Sequence, residues 1–403
     1  MPLHRRHLLC LAATVPFVPR ALAQAREWNR IEAAARGQTV YFNAWAGSER
    51  INAFIQWAGG ELAQRFGVKL EHVKITDTAE VVKRVRAEKS AGRTRDGSVD
   101  LVWINGENFL AMKREGLLFG PWSEALPSYA NVDSVGKPTT RIDFSEPVDG
   151  FEMPWGMAQL TFFADSARVP RTPASFDELL AWTKANPGRF SYPKPPEFHG
   201  STFIKQVLLE VAADRKPFYL PLSSNGSGEL FARATVPLWA ALDALHPHLW
   251  KQGRQFPANA NVSRQMLADG ELAIALTFNP NDVANQIAAK TLPASVVAYQ
   301  HAGGTLGNTH FLAIPFNARA QAGAQVAANF FLSPVAQARK ADIRVWGDPT
   351  VLALDKLSNA ERALFTAGAV PGQVARPAPA LPEPHGTWVD PLEREWTRRY
   401  GVA

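Results

Sequence analysis

The sequence predicts an α/β protein with two doubly wound lobes. Its 403 residues are too many for one ordinary hydrophobic core, so we expect the chain to form two lobes. Hydrophobic residues make up 46% of the chain and charged residues 20%, a balance typical of folded globular proteins. Apolar, strand-like runs alternate with helical patterns along most of the chain, which favours sheets covered by helices on both faces.

Residues 1–23 have the layout of a secretory signal peptide. Arg5 and Arg6 precede an apolar stretch, and Ala21-Leu22-Ala23 supplies small residues for cleavage after position 23. The apolar stretch is shorter than the ~20 residues of a membrane span, although an uncleaved anchor is the alternative. The two arginines leave twin-arginine export open beside the general route. We therefore expect a periplasmic protein released by a cleavable signal peptide.

The cysteine count and the net charge limit the chemistry and the partners of the mature chain. The only cysteine, Cys10, lies in the predicted signal peptide, so disulfides, thiol catalysis and zinc–thiolate sites are excluded afterwards. Cleavage removes three arginines and no acid, which leaves 40 basic side chains against 37 acidic ones. The net charge then falls from +6 to +3, too weak a charge to indicate nucleic acid as a partner.

Three strand–helix units are predicted after the signal peptide. The first strand, 39–42, precedes a helix whose apolar residues recur every three or four positions and which ends at Gly67. That helical face consists of Ile51, Phe54, Ile55, Ala58, Leu62 and Phe66. The second strand is "VKLEHVKI", and Asp77 with Glu80 forms a capping box at the start of its helix.

The third unit and a second α/β region follow. "VDLVWI" is a near-continuous apolar run, typical of a parallel strand that is covered on both faces, and a short helix after it stops at Gly116. From Gln159 onwards, "QLTFFA", "RFSYP" and "ELAIALTF" are predicted strands, and Ser175 with Glu178 caps the helix "FDELLAW". The glycine-rich "GGTLGN" is interpreted as a connector to a further strand, "HFLAIP".

Three of the predicted strands end in asparagine followed by small or acidic residues. These strand exits are 43–48, 105–108 and 279–282. Ligands of open α/β sheets bind beyond the carboxyl ends of the strands. Asparagine both donates and accepts hydrogen bonds, and a helix N-terminus offers unpaired N–H groups. Turn chemistry alone explains any one of these stretches, but three of them together favour a shared ligand cleft.

Aromatic residues occur at the same places along the chain. Aromatic faces hold flat or cationic ligands, and a nearby carboxylate would balance positive charge. Trp103 is predicted to be a core residue, whereas Trp155 lies beside small residues in a predicted loop, "PWGM". The candidate ligand-binding residues are Asn43, Trp45, Gly47, Ser48, Asn105, Glu107, Trp155, Asn279 and Asp282.

Catalytic motifs are missing from the sequence. It contains no G-x-S-x-G elbow, no H-E-x-x-H and no Walker loop, and "GGTLGN" neither follows a predicted strand nor opens a helix. His246-Pro247-His248 has no acidic or cysteine partner nearby in the sequence, so we predict no metal site. We therefore expect no catalytic residue, no cofactor and no enzymatic activity. An exported hydrolase or lyase is the alternative, because folding can assemble a carboxylate pair.

The order of these segments resembles the bacterial extracellular solute-binding proteins of ABC importers. The resemblance covers nearly the whole mature chain and rests on the signal peptide, "PWGMAQLTFFA", "PASFDELLAW", "GELAIALTFNP" and "HFLAIPFNA…AANFFLSPVAQ". It is with the two-crossover class, which includes thiamine-, polyamine- and ferric-ion-binding members. "YFNAWAGS" and "VDLVWINGENF" are most similar to the YnjB-type branch, often described as a thiamine-import component.

The resemblance implies a type II periplasmic-binding-protein-like fold, in which crossing hinge strands join two α/β lobes that close on a solute. It implies lobe I at 24–156 and 306–403 and lobe II at 157–305. The implied partners are a small-molecule solute and an ABC permease in the inner membrane, and the implied state is a monomer. Ferric-binding relatives use adjacent tyrosines, which the six scattered tyrosines here do not provide. A cationic heteroaromatic such as thiamine therefore fits better than iron. A sensory protein that presents its solute to a receptor is a further alternative.

Overall fold

The computed structural model describes residues 20–222, 227–365 and 370–401. The strands are β1 (Thr39–Trp45), β2 (Lys69–Ile75), β3 (Leu101–Ile104), β4 (Ile142–Asp143), β5 (Glu146–Pro147), β6 (Glu152–Gln159), β7 (Thr161–Asp165), β8 (Ile274–Thr277), β9 (Val296–Tyr299), β10 (Thr305–Ala313) and β11 (Ala380–Leu381). The helices are α1 (Arg20–Ala35), α2 (Glu49–Phe66), α3 (Ala79–Ser90), α4 (Gly106–Arg114), α5 (Phe176–Ala185), α6 (Phe198–Val211), α7 (Ser227–Ala234), α8 (Val236–Leu245), α9 (Ala260–Ala268), α10 (Asp282–Ala288), α11 (Gln321–Leu332), α12 (Pro334–Ala341), α13 (Asn359–Arg362) and α14 (Val389–Tyr400).

Most of the predicted signal peptide lies outside the described residues, which begin at residue 20. The predicted cleavage point after residue 23 falls within α1, and cleavage stays a prediction. Within the described ranges, no helix combines the length and the apolar character that a membrane span requires.

The larger sheet has the order β11-β10-β3-β1-β2, and β6 pairs with β10. β1 runs parallel to both β2 and β3, whereas β10 is antiparallel to β3 and β6. The three parallel strands therefore end at the same edge of this sheet. That edge carries the chain segments that connect β1 to α2, β2 to α3 and β3 to α4.

The first predicted helix is confirmed in detail. The predicted apolar face of α2 is buried at Ile51, Phe54, Ile55, Ala58 and Leu62, and Gly67 closes the helix with a φ of 66°. That left-handed conformation suits glycine because a Cβ would be strained there. At α3 the predicted capping box does not form: Asp77 Oδ1 accepts a hydrogen bond from Ala79 N, and Glu80 pairs with Thr76 instead.

β1 extends three residues beyond the predicted strand. The register continues to Trp45, which is paired with Ile75 of β2, so Asn43 and Trp45 lie inside a strand rather than after it. The reason is the parallel ladder itself. Backbone hydrogen bonds to a full-length neighbouring strand hold the chain extended, whatever the local turn preference of asparagine.

The second sheet is small, with the order β8-β7-β9 and β7 antiparallel to both neighbours. Helices α5, α6 and α8 contribute to its core, where Leu179, Phe203 and Leu242 are fully buried or nearly so. The predicted strand "RFSYP" is not a strand of this sheet. Phe190 makes only an isolated parallel bridge to Ile274.

Two long strands connect the lobes. β6 leads through Leu160 directly into β7, and β10 pairs with β6 from Gly307 to Ala313. The side chain of Leu306 lies in the second core, whereas that of Leu312 lies in the first. The glycine-rich stretch interpreted as a connector is thus partly strand. Its residues from Thr305 onwards are held by pairing with β11 and β6.

The C-terminal helix packs on the second lobe, not on the first. Trp388, Leu392 and Trp396 are buried in the same core as Phe203 and Leu242, and Trp396 Nε1 donates a hydrogen bond to Tyr192 Oη at 2.9 Å. The expected placement of the whole stretch 306–403 in lobe I is wrong for this helix. The apolar face of α14 packs against α6 and α8. The amphipathic pattern predicts that this face is buried, but it does not predict against which lobe.

Candidate ligand-binding site

The parallel edge of the larger sheet brings the first two predicted strand exits together. Trp45 is the last residue of β1 and Ser48 follows that strand, and Asn105 and Glu107 follow the neighbouring strand β3. All four side chains are partly exposed, in contrast to the buried strands that lead to them. A set of partly exposed polar and aromatic residues at parallel strand ends is the arrangement expected of a ligand cleft in an open α/β sheet.

Trp45 and Gly47 form a local unit at the first exit. The indole ring of Trp45 folds back over the Cα of Gly47, so a Cβ at position 47 would overlap the ring. Ser48 stands at the N-terminus of α2 and makes no side-chain capping bond there, so its hydroxyl is not used within the helix. The exposed Gly47 directs its carbonyl oxygen to Asn261 Nδ2 of the other lobe, at 3.0 Å.

The second lobe meets this unit through a chain of polar side chains. Asn259 caps α9, and Asn261 accepts a hydrogen bond from Arg264 at 2.9 Å while donating to Gly47. Arg264 also pairs with Asp282 at 3.2 Å, and the other oxygen of Asp282 accepts from Gln286 at 3.0 Å. The structure thus connects the Asp282 stretch to Gly47, with both Asp282 oxygens engaged in holding Arg264 and α10.

The third predicted exit contacts a segment that sequence reasoning did not single out. Asn279 Nδ2 lies 3.4 Å from the carbonyl oxygen of Trp346, and Asn285 Nδ2 donates to the same oxygen at 2.5 Å. Asn281 Nδ2 donates to Gly347 O at 2.7 Å. Three asparagine amides of the second lobe therefore hold the Trp346–Gly347 backbone, which packs with the core of the first.

The position of Trp155 contradicts its predicted place in a loop. It belongs to β6 and is fully buried, with its ring 5.0 Å from Trp103 and 5.3 Å from Trp346. Trp103, which was predicted to be core, is the half-buried member of this group. The buried Trp155 ring therefore packs edge-on against the partly exposed Trp103 ring. The reason is that β6 continues through Trp155 as a crossing strand, and no turn forms at "PWGM".

Asn43 is likewise displaced from its expected role. It is fully buried in β1, where Arg84 Nη1 donates to its Oδ1 at 3.2 Å and its own Nδ2 donates to Tyr41 O at 3.3 Å. Both ends of the amide are satisfied within lobe I. Because β1 extends to Trp45, the strand carries Asn43 into the sheet, facing α3, instead of to the strand exit.

A buried polar group lies beneath the tryptophans. His310 Nε2 is 3.0 Å from Asp348 Oδ2, and Lys340 Nζ pairs with the same oxygen. Burial alone would raise the pKa of the Asp348 carboxyl, but His310 and Lys340 together hold it below its ordinary value. Gly156 of β6 lies against this group, and a Cβ there would overlap the Asp348 carboxylate. His310 also stacks on Trp346, with 17° between the rings.

The other side of the cleft is acidic. Burial raises the pKa of the Glu107 carboxyl to about 7; the charge of Lys205 opposes that shift, and Glu393 and Glu383 add to it. Asn105 begins α4 in extended conformation without a side-chain capping bond, so its amide remains available at the same edge. On the second lobe, the exposed Phe198 lies edge-on to Phe278, with 5.1 Å between the ring centroids.

Sequence reasoning missed Asn261 and Trp346. Asn261 lies two residues after Asn259, the capping residue of α9, and the strand-exit rule does not identify it because it follows no strand. Trp346 follows no strand either and reaches Trp103 and Trp155 from a distant part of the chain. Within the described residues no three histidine, cysteine or acidic side chains come together as a metal site.

Comparisons with known proteins agree with this architecture. The family described as "Bacterial extracellular solute-binding protein" matches residues 49–353. Protein YnjB of Escherichia coli (strain K12) is 44% identical over 378 residues, which cover 94% of this chain and 95% of that protein.

Solved structures show the same fold at low sequence identity. The Tp0655 (TpPotD) lipoprotein of Treponema pallidum superposes with a TM-score of 0.62 at 15% identity, covering 90% of this chain and 99% of that one. The spermidine/putrescine ABC transporter substrate-binding protein PotD of Streptococcus pneumoniae gives a TM-score of 0.59 at 12% identity, with 90% and 98% covered. These likenesses confirm the two-lobed α/β fold of the periplasmic-binding-protein type.

Proposed function

The chain belongs to the bacterial extracellular solute-binding protein family, and from that premise we propose that it is the periplasmic solute-binding component of an ABC importer. In this role the two lobes close on a small molecule, and the closed protein delivers it to a permease in the inner membrane. The mature chain acts as a monomer and carries no nucleic acid. The proposal extends the family assignment to a cellular location, a partner and a mechanism.

One observation supports this mechanism more than any other: polar side chains of one lobe bond the backbone of the other beside partly exposed strand ends. Asn261 reaches Gly47 O at 3.0 Å, and Asn281 reaches Gly347 O at 2.7 Å. In each bond, one partner belongs to the first lobe and the other to the second, and the two residues lie far apart in the sequence. Bonds of this kind hold a two-lobed protein closed, and opening of the lobes replaces them with bonds to water at a modest net cost of about 1 kcal/mol each.

The residues around the cleft favour a cationic, flat solute. Trp45 and Trp103 are partly exposed aromatic side chains, and Glu107 adds a partly exposed carboxylate just after β3. Aromatic faces attract organic cations through the ring quadrupole, and a carboxylate in low-dielectric surroundings adds a charge-assisted hydrogen bond. We propose thiamine or a similar cationic heteroaromatic as the solute, with Trp45, Gly47, Ser48, Asn105, Glu107 and Asn279 around it.

Thermal-shift screening of the purified mature protein tests this function. Thiamine, related heteroaromatic cations, polyamines, amino acids and sugar phosphates would be compared at micromolar concentrations. A solute at one hundred times its dissociation constant adds about 2.7 kcal/mol to the free energy of unfolding. We expect stabilisation by a cationic heteroaromatic and none by sugar phosphates. A protein that no solute in the panel stabilises would argue against a solute-binding role.

Two other functions need different experiments. An exported hydrolase or lyase would turn over a screened substrate, and replacing Glu107 or His310 would abolish that turnover. A sensory protein would bind the same solute but present it to a receptor. Genes for a permease and a cytoplasmic ATPase beside this one would favour import over sensing.

A further inference from the structure

The imidazole of His310 is held in place where the two crossing strands pair. His310 lies on β10, opposite Gly156 of β6. Its Nε2 lies 3.0 Å from Asp348 Oδ2, and Lys340 Nζ pairs with the same oxygen. A Cβ at Gly156 would lie 2.4 Å from Nε2, so a side chain at this position would displace the imidazole from Asp348. Both crossing strands therefore fix the position of the ring.

The charges around His310 determine which ring nitrogen carries the hydrogen. The Lys340 and Asp348 side chains are 0% and 4% exposed, and their opposite charges balance each other. A proton on both ring nitrogens would add an unbalanced charge to this buried group, which is costly. The imidazole is therefore neutral. Because an ionised carboxylate only accepts hydrogen bonds, Nε2 carries the hydrogen and donates it to Asp348, and Nδ1 keeps a free lone pair.

Nδ1 is the accessible nitrogen of this ring. His310 as a whole is only 5% exposed. Among the described residues, none forms a hydrogen bond with Nδ1, and Nδ1 does not belong to the fully buried side-chain atoms that lack a partner. A donor from outside the protein can therefore reach its lone pair.

Three tryptophans surround the imidazole and define the direction of that access. The ring centroids of Trp103, Trp155 and Trp346 lie 5.1, 5.8 and 6.1 Å from that of His310. Trp155 and Trp346 are 0% and 4% exposed, whereas Trp103 is partly exposed near the end of β3. The open side of the imidazole therefore lies beside Trp103. A planar molecule that stacks on Trp103 would bring its edge to His310.

We propose that His310 Nδ1 is a hydrogen-bond acceptor for the solute, and that it selects a planar molecule with an N–H group at the edge next to Trp103. The inference rests on the proposed solute-binding function and specifies one contact of it. Asp348 and Lys340 are positioning residues, because they fix the hydrogen on Nε2 and act on the solute only through His310. A solute with an acceptor at this edge would face the Nδ1 lone pair without a hydrogen between them, so it would bind more weakly.

Trp346 connects this contact with closure of the lobes. Its ring stacks on His310, with 17° between the planes. Its carbonyl oxygen accepts from Asn285 of the second lobe at 2.5 Å and lies 3.4 Å from Asn279 Nδ2. Closing the lobes thus fixes Trp346 beside the imidazole. We expect a solute at Nδ1 to bind the closed form more tightly than the open one for this reason.

Two substitutions separate the solute contact from a structural role of His310. The amide nitrogen of glutamine takes the place of Nε2, so His310→Gln keeps a donor for Asp348 and removes the acceptor at Nδ1. His310→Asn does the reverse, because its shorter side chain reaches only the place of Nδ1. In calorimetry with thiamine, we expect His310→Gln to lose affinity about tenfold. His310→Asn should lose less affinity but have a lower melting temperature than His310→Gln.

A pair of planar cations tests the N–H donor directly. Para-amino-N-methylpyridinium carries an amino group, and N-methylpyridinium has the same charged ring without one. The wild type should prefer the amino compound about tenfold, and His310→Gln should lose this preference. His72→Gln is the matched control, since His72 Nε2 lies 3.1 Å from Ala44 O within the first lobe and glutamine keeps that donor. This control should change either affinity less than about twofold.

NMR tests the hydrogen position in the wild type, whether or not the variants fold. Long-range proton–nitrogen spectra of histidine-labelled protein distinguish a protonated ring nitrogen from an unprotonated one, and the signals absent from the His310 variants identify this residue. We expect a protonated Nε2 and an unprotonated Nδ1 without solute, and a shift of the Nδ1 signal when thiamine is added.

Three results would overturn the inference and leave the proposed transport function intact. They are a hydrogen on Nδ1 in the empty protein, wild-type thiamine affinity in His310→Gln, and equal wild-type affinity for the two pyridinium probes. Stabilisation of the wild type only by solutes without N–H groups would have the same meaning. A protein that no solute of the thermal-shift panel stabilises would refute both proposals.

Discussion

The indole ring of Trp45 lies on the Cα of Gly47, two residues later in the chain, and leaves no room for a side chain at position 47. The glycine therefore determines where the ring can lie. The same Gly47 carries the carbonyl oxygen that bonds Asn261 of the other lobe. One residue thus fixes an aromatic face of the cleft and a contact that closes it.

Replacing these two residues tests the aromatic face. We expect Trp45→Ala to weaken solute binding at least tenfold, through loss of stacking worth more than ~1 kcal/mol. Gly47→Ala should displace the ring and weaken binding by a smaller but measurable factor. Gly60→Ala on α2 is the control, since a Cβ there meets no atom within 4 Å. Calorimetry that shows unchanged affinity in Trp45→Ala would remove Trp45 from the site.

Asn281 tests the bonds that hold the lobes closed. Asn281→Ala leaves Gly347 O without its donor at 2.7 Å, so the closed form should lose about 1 kcal/mol and the solute should dissociate several-fold faster. Asn186→Ala is a fitting control: Asn186 Nδ2 donates to Trp182 O at 2.9 Å inside one lobe. Stopped-flow fluorescence would follow dissociation. Identical dissociation rates in the two variants would mean that Asn281 does not act on closure.

Glu107 predicts a pH dependence of both stability and binding. Its pKa is raised from 4.5 to about 7 in the folded protein, so the folded state binds the proton more tightly than the unfolded state. The contribution of Glu107 to the free energy of unfolding is therefore greatest below pH 4.5 and is lost as the pH rises through 7. For a side chain that is only half-buried, we expect this loss to be roughly 2 kcal/mol. Urea denaturation at pH 5.5 and 8 should show this loss in the wild type and not in Glu107→Gln.

Cation binding should change in the opposite direction with pH. The deprotonated Glu107 carboxylate is the form that accepts from an ammonium or amino group, so affinity should rise about tenfold between pH 5.5 and 8. Glu107→Gln should flatten this rise. A wild-type affinity that is independent of pH over this range would exclude Glu107 from direct contact with the cation.

Lys340 tests the polar group beneath the tryptophans. Lys340→Met leaves the buried Asp348 carboxylate with His310 as its remaining partner, which should lower the free energy of unfolding by about 3 kcal/mol. The exposed Lys184 makes no salt bridge in the described chain, so Lys184→Met should cost less than 0.5 kcal/mol. Chemical denaturation measures both. Equal stability of the two variants would show that the Lys340 charge is not needed.

Local patterns predicted much of the fold correctly. The apolar spacing of α2, its closing glycine and the Ser175 cap of α5 all depend on residues within one helix, and all are confirmed. The ends of the strands were less predictable. β1 ends at Trp45 because Trp45 still pairs with Ile75 of β2, a residue 30 positions later in the sequence. The burial of Trp155 likewise depends on its pairing with β10.

The candidate site was predictable only in part. Residues at the end of a strand or directly after it, such as Trp45, Asn105 and Glu107, could be identified by the carboxyl-end rule. Trp346 could not be identified, because it reaches Trp103 and Trp155 on a loop from a distant part of the chain. Asn43 was misplaced because asparagine has turn propensity, which a parallel ladder on both sides overrides.

The docking of α14 makes the second lobe depend on a distant part of the chain. Trp388 and Trp396 lie in the core that contains Tyr192 and Phe203, and Trp396 Nε1 bonds Tyr192 Oη across 204 residues of sequence. A fragment confined to residues 157–305 would lack these two side chains, which are among the largest in that core. The second lobe is therefore not expected to be stable as a fragment cut out at its two crossing strands.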